Sequence, residues 1–469
     1  MLRHALKLQL LLGLLLLPAG WAWAQNRWGR LSGGIESNSI FSTEGVFYSN
    51  NYLKLDYVNG RFSAGIQAEY YPNPLPGYDV NLKGIGLPGK YLAWTDTQWS
   101  ITAGDFYDQF GTGILFRSWE DRSLGWNNSV GGGRVSFRTL DDVFSIKVLG
   151  GVPRRFLWYA PDTWFTGADA TLQIGGFSLE GSAMYQKVGS SAQFLYSLLP
   201  SFSAGGFTVR AEWVGKKDGN AQTLELGYGK RTFSSSLTLR RLQNMQDPAG
   251  MNYLPSLCQE QSYMLACLNP YTTFAAGELG GNADVFYRLG SWQFHVNGSW
   301  ILALPFALSG HETARLAYRD INIQVEKRWN RRFKTVAFVS IQENSPTHGQ
   351  RKATNAQNVF VLDAVYRFQG KLSLRGQFQY LYSQELTRDW MAASLELTST
   401  DGWIVHVQDM YNHGDTHEHY YEAGVSWSRN GFKASLAYGH QRAGMVCSGG
   451  VCRWQPEYKG GLLRLNYSF

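Results

Sequence analysis

The stretch Trp292–Trp300, WQFHVNGSW, carries Trp292, Phe294, Val296, Gly298 and Trp300 at every second position. Gln293, His295, Asn297 and Ser299 fill the positions between. Successive side chains of a β-strand point to opposite faces, so the segment reads as a strand with one greasy side and one wet side. The pattern recurs along the chain. Phe62, Ala64, Ile66, Ala68 and Tyr70 alternate with Ser63, Gly65, Gln67 and Glu69, and Phe177, Leu179, Gly181, Ala183 and Tyr185 with Ser178, Glu180, Ser182 and Met184. Leu372, Leu374, Gly376, Phe378, Tyr380 and Tyr382 face away from Lys371, Ser373, Arg375, Gln377 and Gln379, and Phe432, Ala434, Leu436 and Tyr438 repeat the period. Runs of roughly 9–11 residues are what a tilted strand needs to cross a bilayer.

Two kinds of connection alternate between these strands. One kind is short and carries turn residues: NG at Asn59, GG at Gly175, NRR at Asn330, QGK at Gln369, TDG at Thr400 and RNG at Arg429. The other is long and irregular, around residues 72–89, 107–132, 243–279, 344–355, 412–419 and 443–454. Short turns on one side and long loops on the other are the pattern of a transmembrane β-barrel with periplasmic turns and extracellular loops. Counting strand pairs predicts an all-β, single-chain antiparallel barrel of about 24 strands, range about 20–26, with residues 188–206 and 243–279 the hardest to assign. An even count places both termini in the periplasm.

Composition agrees. Only 17% of the 469 residues are charged, against about 25% in soluble domains, while 15% are aromatic and 52 are glycine. The mean hydropathy is nevertheless −0.27. Alternating strands reconcile these values, because half of each strand faces lipid and half faces water. Beyond the first residues no apolar run approaches the roughly 20 needed for a membrane helix. The formal charge of +7 includes Arg3 and Lys7 and forms no basic stripe, which leaves no footprint for nucleic acid.

The start, MLRHALKLQLLLGLLLLPAGWAWAQ, has a basic beginning, an apolar run to Leu17, and Ala22 and Ala24 around Trp23. It reads as a secretory signal over residues 1–24, cleaved between Ala24 and Gln25, ahead of one barrel domain at 25–469. Strand signals begin near Trp28, so no separate N-terminal plug domain is expected. At the other end Leu463, Leu465, Tyr467 and Phe469 share one face of a closing strand. That tail looks like the barrel-insertion signal read by the outer-membrane barrel assembly machinery through strand addition.

Two segments, GDFYDQFGTGILFRSWEDRSLGWNN (Gly104–Asn128) and NYLPSLCQEQSYMLACLNPYTTFAAGELGGNADVFYRLG (Asn252–Gly290), resemble an uncharacterised family of Bacteroidota outer-membrane barrels. The resemblance implies fold and location. It hands over no catalytic residues.

The polar groups of the first segment, Arg117, Glu120, Asp121 and Arg122, lie in a loop with Gly111, Gly113 and Gly125. Glycines allow such a loop to fold back and constrict the lumen; a salt-bridged rim is the alternative. The second segment is a long loop with Tyr253, Leu254, Leu257, Tyr263, Leu265 and Tyr271, too apolar for disorder. A partial plug, a partner surface and a protective cap are all open to it. An exported chain meets an oxidising space, so disulfides are expected at Cys447–Cys452 and at Cys258–Cys267. His413, Asp415, His417, Glu418 and His419 have metal-ligand chemistry, but a solvated loop tip is the expected reading and no metal or other cofactor is assigned. Strand charges Glu69, Lys147, Glu180, Arg210, Glu212, Arg240, Arg367, Arg375 and Glu396 are expected to point inward and solvate the lumen.

No hydrolase, phosphate-loop or dinucleotide motif stands out, so the chain is read as a non-enzyme. The reading that follows is an outer-membrane channel or transport protein with a polar lumen partly occluded by loops. An accessory or scaffold barrel of an export or assembly complex, holding a lipoprotein or secreted partner, is the alternative. An outer-membrane hydrolase is the third class.

Overall fold

A computed structural model describes residues 29–308, 310, 313–351, 353–385 and 388–469. The signal segment and its Ala24–Gln25 cleavage position lie outside the described residues. At Asn430–Gly431 the chain turns on two residues with φ of 50° and 80°, the left-handed pair that a two-residue hairpin turn requires. Arg429 and Phe432 thereby pair across the hairpin. Repeating this device, the described residues build 24 strands in one closed antiparallel barrel. The first strand, Arg30–Ser42, pairs with Phe47–Asn59 on one side and with the last, Tyr458–Ser468, on the other. Phe469 adds a reciprocal pair of backbone hydrogen bonds to Gly33, both 3.0 Å, so the terminal aromatic sits at the seam.

Side chains obey the alternation. Phe62 is 65% exposed and its alternates Ile66 and Tyr70 face outward, whereas Gln67 and Glu69 are 6% and 2% exposed within. Leu463, Leu465 and Tyr467 pair with the outward Leu436, Ala434 and Phe432. A barrel this apolar outside and polar inside is one that a bilayer solvates.

Every short turn named from sequence lies at one end of the barrel with both described chain ends; the long connections lie at the other. These are called the turn side and the loop side. Five long loops are shorter than expected, at 74–83, 107–129, 244–276, 345–354 and 413–418, because strands extend into them, whereas the last, 442–457, is longer and folds into a hairpin of its own. Of the two difficult stretches, one contains the regular strand Ser191–Ala204, and the other contains no strand between Gln243 and Gly277.

Candidate functional site

Barrel width grows with strand number, and barrels of about 22 strands already hold a plug in their lumen. Side chains of the wall cannot fill a 24-stranded lumen. Loop 107–129 enters it. Two short ladders, Gln109–Phe110 with Phe116–Arg117 and Glu120–Asp121 with Trp126–Asn127, fold the loop onto itself. The apolar tip, Phe110, Ile114, Leu115 and Phe116, packs against inward wall residues Leu149, Phe165, Met184, Leu195, Val214 and Leu242. Phe110 is fully buried, and its ring lies 5.1 Å from that of Phe116, which lies 5.1 Å from Phe165.

Polar contacts pin the same tip. Gly111 N–H donates to Glu180 at 2.6 Å, and Thr112 donates to Glu212 through its N–H and hydroxyl. Gly111 has φ of +55°, and a Cβ there would fall 2.1 Å from Glu212 Oε1. At the root of the loop, Asp108 accepts from Arg134 at 3.0 Å and Lys147 at 2.6 Å. Inward strand charges thus hold a loop.

Loop 244–276 covers a second arc of the inner wall. Tyr263, Leu265, Ala266 and Leu268 pack on Phe338, Val359, Val361, Leu381 and Trp390 of the wall, and Tyr271 packs on Ile301 and Tyr318. Gln342 donates to Ala266 O at 2.9 Å, and Leu265 N–H donates to Gln379 at 3.1 Å. At the base of this loop Arg240 and Glu278 form a buried ion pair of 2.7 Å, with Tyr271 donating to the same carboxylate.

The hairpin Gly444–Ser448 with Val451–Gln455 ties the loops together. Cys447 and Cys452 face each other across it as a disulfide. Arg453 donates to Ser123 O at 2.9 Å and to Pro76 O at 3.3 Å, and Ser256 N–H donates to Gly450 O at 3.0 Å. The two long loops also bond each other directly, Arg117 N–H to Met251 O and Tyr253 N–H to Gly113 O.

The expected Cys258–Cys267 bridge does not form; both are free thiols. Each is taken by its own packing, Cys258 beside Tyr271 and Tyr318, Cys267 in a tight turn with its N–H on Tyr263 O. Burial pushes both thiols above their ordinary pKa, Cys258 well above.

The four charged residues singled out from sequence each make local contacts. Arg117 lies over the rings of Tyr253 (4.0 Å) and Trp119 (5.2 Å). Arg122 bridges Glu36 at 2.7 Å and Glu120 at 3.0 Å, and Glu120 also accepts from Gln67. Burial works to raise the Asp121 carboxyl, but hydrogen bonds from Ser123, Ser448 and nearby backbone outweigh it and hold the group below the usual carboxylate range. Glu120 and Arg122 fasten the loop to the wall, Arg117 and Asp121 hold to loop residues, and the apolar tip packs on the inner wall. The histidine loop gathers no group of three metal-ligating residues among the described residues. His419 pairs with Asp409 at 2.8 Å and His413 stacks on Tyr380 and Tyr411.

The chain belongs to a family of unknown function, DUF6029, which matches residues 5–469. No curated protein matches it significantly by sequence. Among solved structures it resembles the E. coli P pilus tip assembly intermediate PapC-PapD-PapK-PapG in its second conformation, with a TM-score of 0.54 and 10% identity over 96% of this chain and 61% of that one. The P pilus usher (PapC) translocation pore gives 0.49 and 11% over 93% and 99%, and the outer membrane protein opdK from Pseudomonas aeruginosa gives 0.36 and 9% over 81% and 98%. At such identities the likeness concerns the fold.

Proposed function

We propose that this chain is an outer-membrane channel or transport barrel closed at rest by its own extracellular loops, with the turns and both termini periplasmic. The observation that carries the reading is the docking of loops 107–129 and 244–276 onto inward wall residues around the barrel. A rim or cap would need no apolar patches on the inner wall. Opening requires these loops to leave, so the protein conducts when a solute or partner competes for their contacts. The strand Tyr458–Ser468 with Phe469, paired to the first strand at the seam, serves as the barrel-insertion signal during assembly.

Planar-bilayer recording of the full chain beside a variant with a Gly-Ser linker in place of residues 109–127 tests this. The full chain should be quiet with rare openings, and the variant should conduct ohmically. If both are silent at every voltage while both are closed barrels by heat-shifted gel mobility, the channel reading fails. Silence together with a stoichiometric partner in mild detergent would support the accessory-barrel reading instead.

A further inference from the structure

We propose that the turn side of the barrel between residues 219 and 382 is a docking surface for an acidic, extended polypeptide segment of a partner protein, held by six arginines. The hairpins 219–243, 277–303, 315–344 and 355–382 are neighbours in the wall and make up eight of its 24 strands. Their turn ends bring together Arg231, Arg288, Arg328, Arg331, Arg332 and Arg367, all exposed. The sequence has no basic stripe; the fold assembles one from separate turns. Other cations at this end are matched, Arg61 with Asp96 at 3.8 Å, Arg138 with Asp142 at 3.6 Å and Lys371 with Asp401 at 2.7 Å. Among the described residues none of the six arginines pairs with a carboxylate. The nearest carboxylates along these strands, Glu225, Asp284, Glu326 and Asp363, hold Arg210, His295, Lys334 and Arg375 instead. The arc is bounded by the matched turn of Lys371 and Asp401 on one side and by the uncharged turn of Gly205 and Gly206 on the other.

The direction of the side chains selects the partner. Arg288, Arg328 and Arg367 continue the inward registers of Asn282, Asn322 and Asp363. Arg231, Arg331 and Arg332 stand in the turns themselves. Outward positions at the same level hold Leu289, Trp292 and Tyr366. A bilayer thus meets apolar and aromatic groups, while the arginines border the mouth of the lumen. Neighbouring strands lie about 4.8 Å apart, so the arc runs for roughly 40 Å. A small anion touches one turn of it, whereas an extended chain of about 12 residues follows its whole length. Arginine forks match carboxylates in bidentate pairs. The surface rests on the proposed orientation only for its compartment, the periplasm.

The test is fluorescence anisotropy of a labelled peptide of about 12 glutamates, titrated with the full barrel in phosphatidylcholine nanodiscs at about 50 mM salt. Binding should saturate, with half-saturation at or below about 100 μM, and weaken as salt rises to about 0.2 M. Arg331→Ser combined with Arg332→Ser should weaken it by about tenfold, since an exposed charge pair contributes a factor of up to about five. Arg61→Ser combined with Arg138→Ser, whose cations already have carboxylates, should change it by less than about twofold. Heat-shifted gel mobility checks that every variant is a closed barrel. No saturable binding, binding indifferent to salt, unchanged affinity in the first variant or equal loss in both would each overturn the proposal. Phosphatidylglycerol retained by the barrel in detergent but lost from the first variant would assign the arginines to lipid phosphates and overturn it too. Inorganic phosphate displacing the peptide at about 1 mM would assign them to a small anion, with the same consequence. A barrel that binds the peptide yet never conducts would keep this surface while removing the channel reading, and a conducting barrel blind to the peptide would do the reverse.

Discussion

Replacing Phe110 by alanine should open the barrel without unfolding it. The Phe110 ring is fully buried between Phe116 and the inner wall, with Lys147 Nζ 5.2 Å from its centroid. Truncating such a side chain costs about 3–5 kcal/mol. The loss falls on loop docking, because Phe110 contributes nothing to the barrel's hydrogen-bond ladder. At about 1.4 kcal/mol per factor of ten, the undocked fraction should rise between about a hundredfold and a few thousandfold. Two measurements follow it. Trypsin cleavage after Arg117 or Arg122 reports release of the loop and should accelerate by that factor while opening and closing stay faster than cleavage. Bilayer recordings report the gate, and the open probability should rise in parallel. Faster cleavage with conductance unchanged would show that the loop is released and does not gate. Unchanged cleavage would show that Phe110 does not hold it.

Gly111→Ala should act in the same direction but more weakly, by about 1–2 kcal/mol for a left-handed φ without glycine, because its Cβ would strike Glu212 Oε1; trypsin cleavage again measures it. Mass spectrometry after maleimide labelling should find two adducts per chain in denaturant without reductant and four with it, since Cys258 and Cys267 are free. In the native state both should label slowly, because burial raises both thiols and thiolate is scarce at pH 7; no adducts without reductant would mean a second bridge. Arg154→Met should lower the temperature of the gel-mobility shift, since it strands the buried Glu69 carboxylate at a cost of about 3–5 kcal/mol, and adding Glu69→Gln should recover most of the loss. Deleting Phe469 removes both hydrogen bonds to Gly33 and should reduce the yield of assembled barrel in membranes, measured by the heat-shifted fraction.

The barrel was legible because its signal is repeated in every strand, so an error in one strand leaves the period intact. The turns were legible because each falls between two alternating runs; Gly-Gly alone would not mark them, since Gly33–Gly34, Gly150–Gly151 and Gly280–Gly281 lie inside strands. The loop packing inside the barrel was less legible, and its residues explain why. Arg117, Glu120, Asp121 and Arg122 drew notice by charge, yet the lumen is filled by Phe110, Ile114, Leu115 and Phe116, apolar residues that in a loop could equally meet a partner. A usable signal did exist on the wall. Val359, Phe360, Val361 and Leu362 are all apolar, and the structure turns Val359 and Val361 inward while Phe360 and Leu362 face outward. Trp164 and Phe165 repeat this, one out and one in. Such breaks in alternation at the loop end of a strand mean that its inner face meets something other than water. Cys258 and Cys267 failed for another reason: sequence distance bounds a disulfide but cannot show that two intervening clusters pull the thiols into separate packing.

The inner wall changes character along the barrel axis, and this bears on the proposed opening. Near the loops, inward positions such as Phe165, Leu242, Val359 and Trp390 are buried under the plug. Near the turns, Ser234, Ser236, Lys433, Arg464 and Asn466 face the same lumen and stay exposed. The apolar docking surface is thus confined to the loop half, above a wet vestibule. Loops 107–129 and 244–276 are each tethered at both ends to strand ends on the loop side. Sliding toward the turns would strip their apolar faces from the wall and place them against polar groups and water, at a hydrophobic cost of about 25 cal/mol for each Å² exposed. Moving outward lets the loops keep contact with one another and with the disulfide hairpin through Arg117–Met251, Tyr253–Gly113 and Ser256–Gly450. On the proposed reading of a loop-closed channel, both directions uncover the apolar faces but the outward one keeps the loops bonded to one another, so the expected opening is outward and collective, driven by an agent that binds the loops from the loop side.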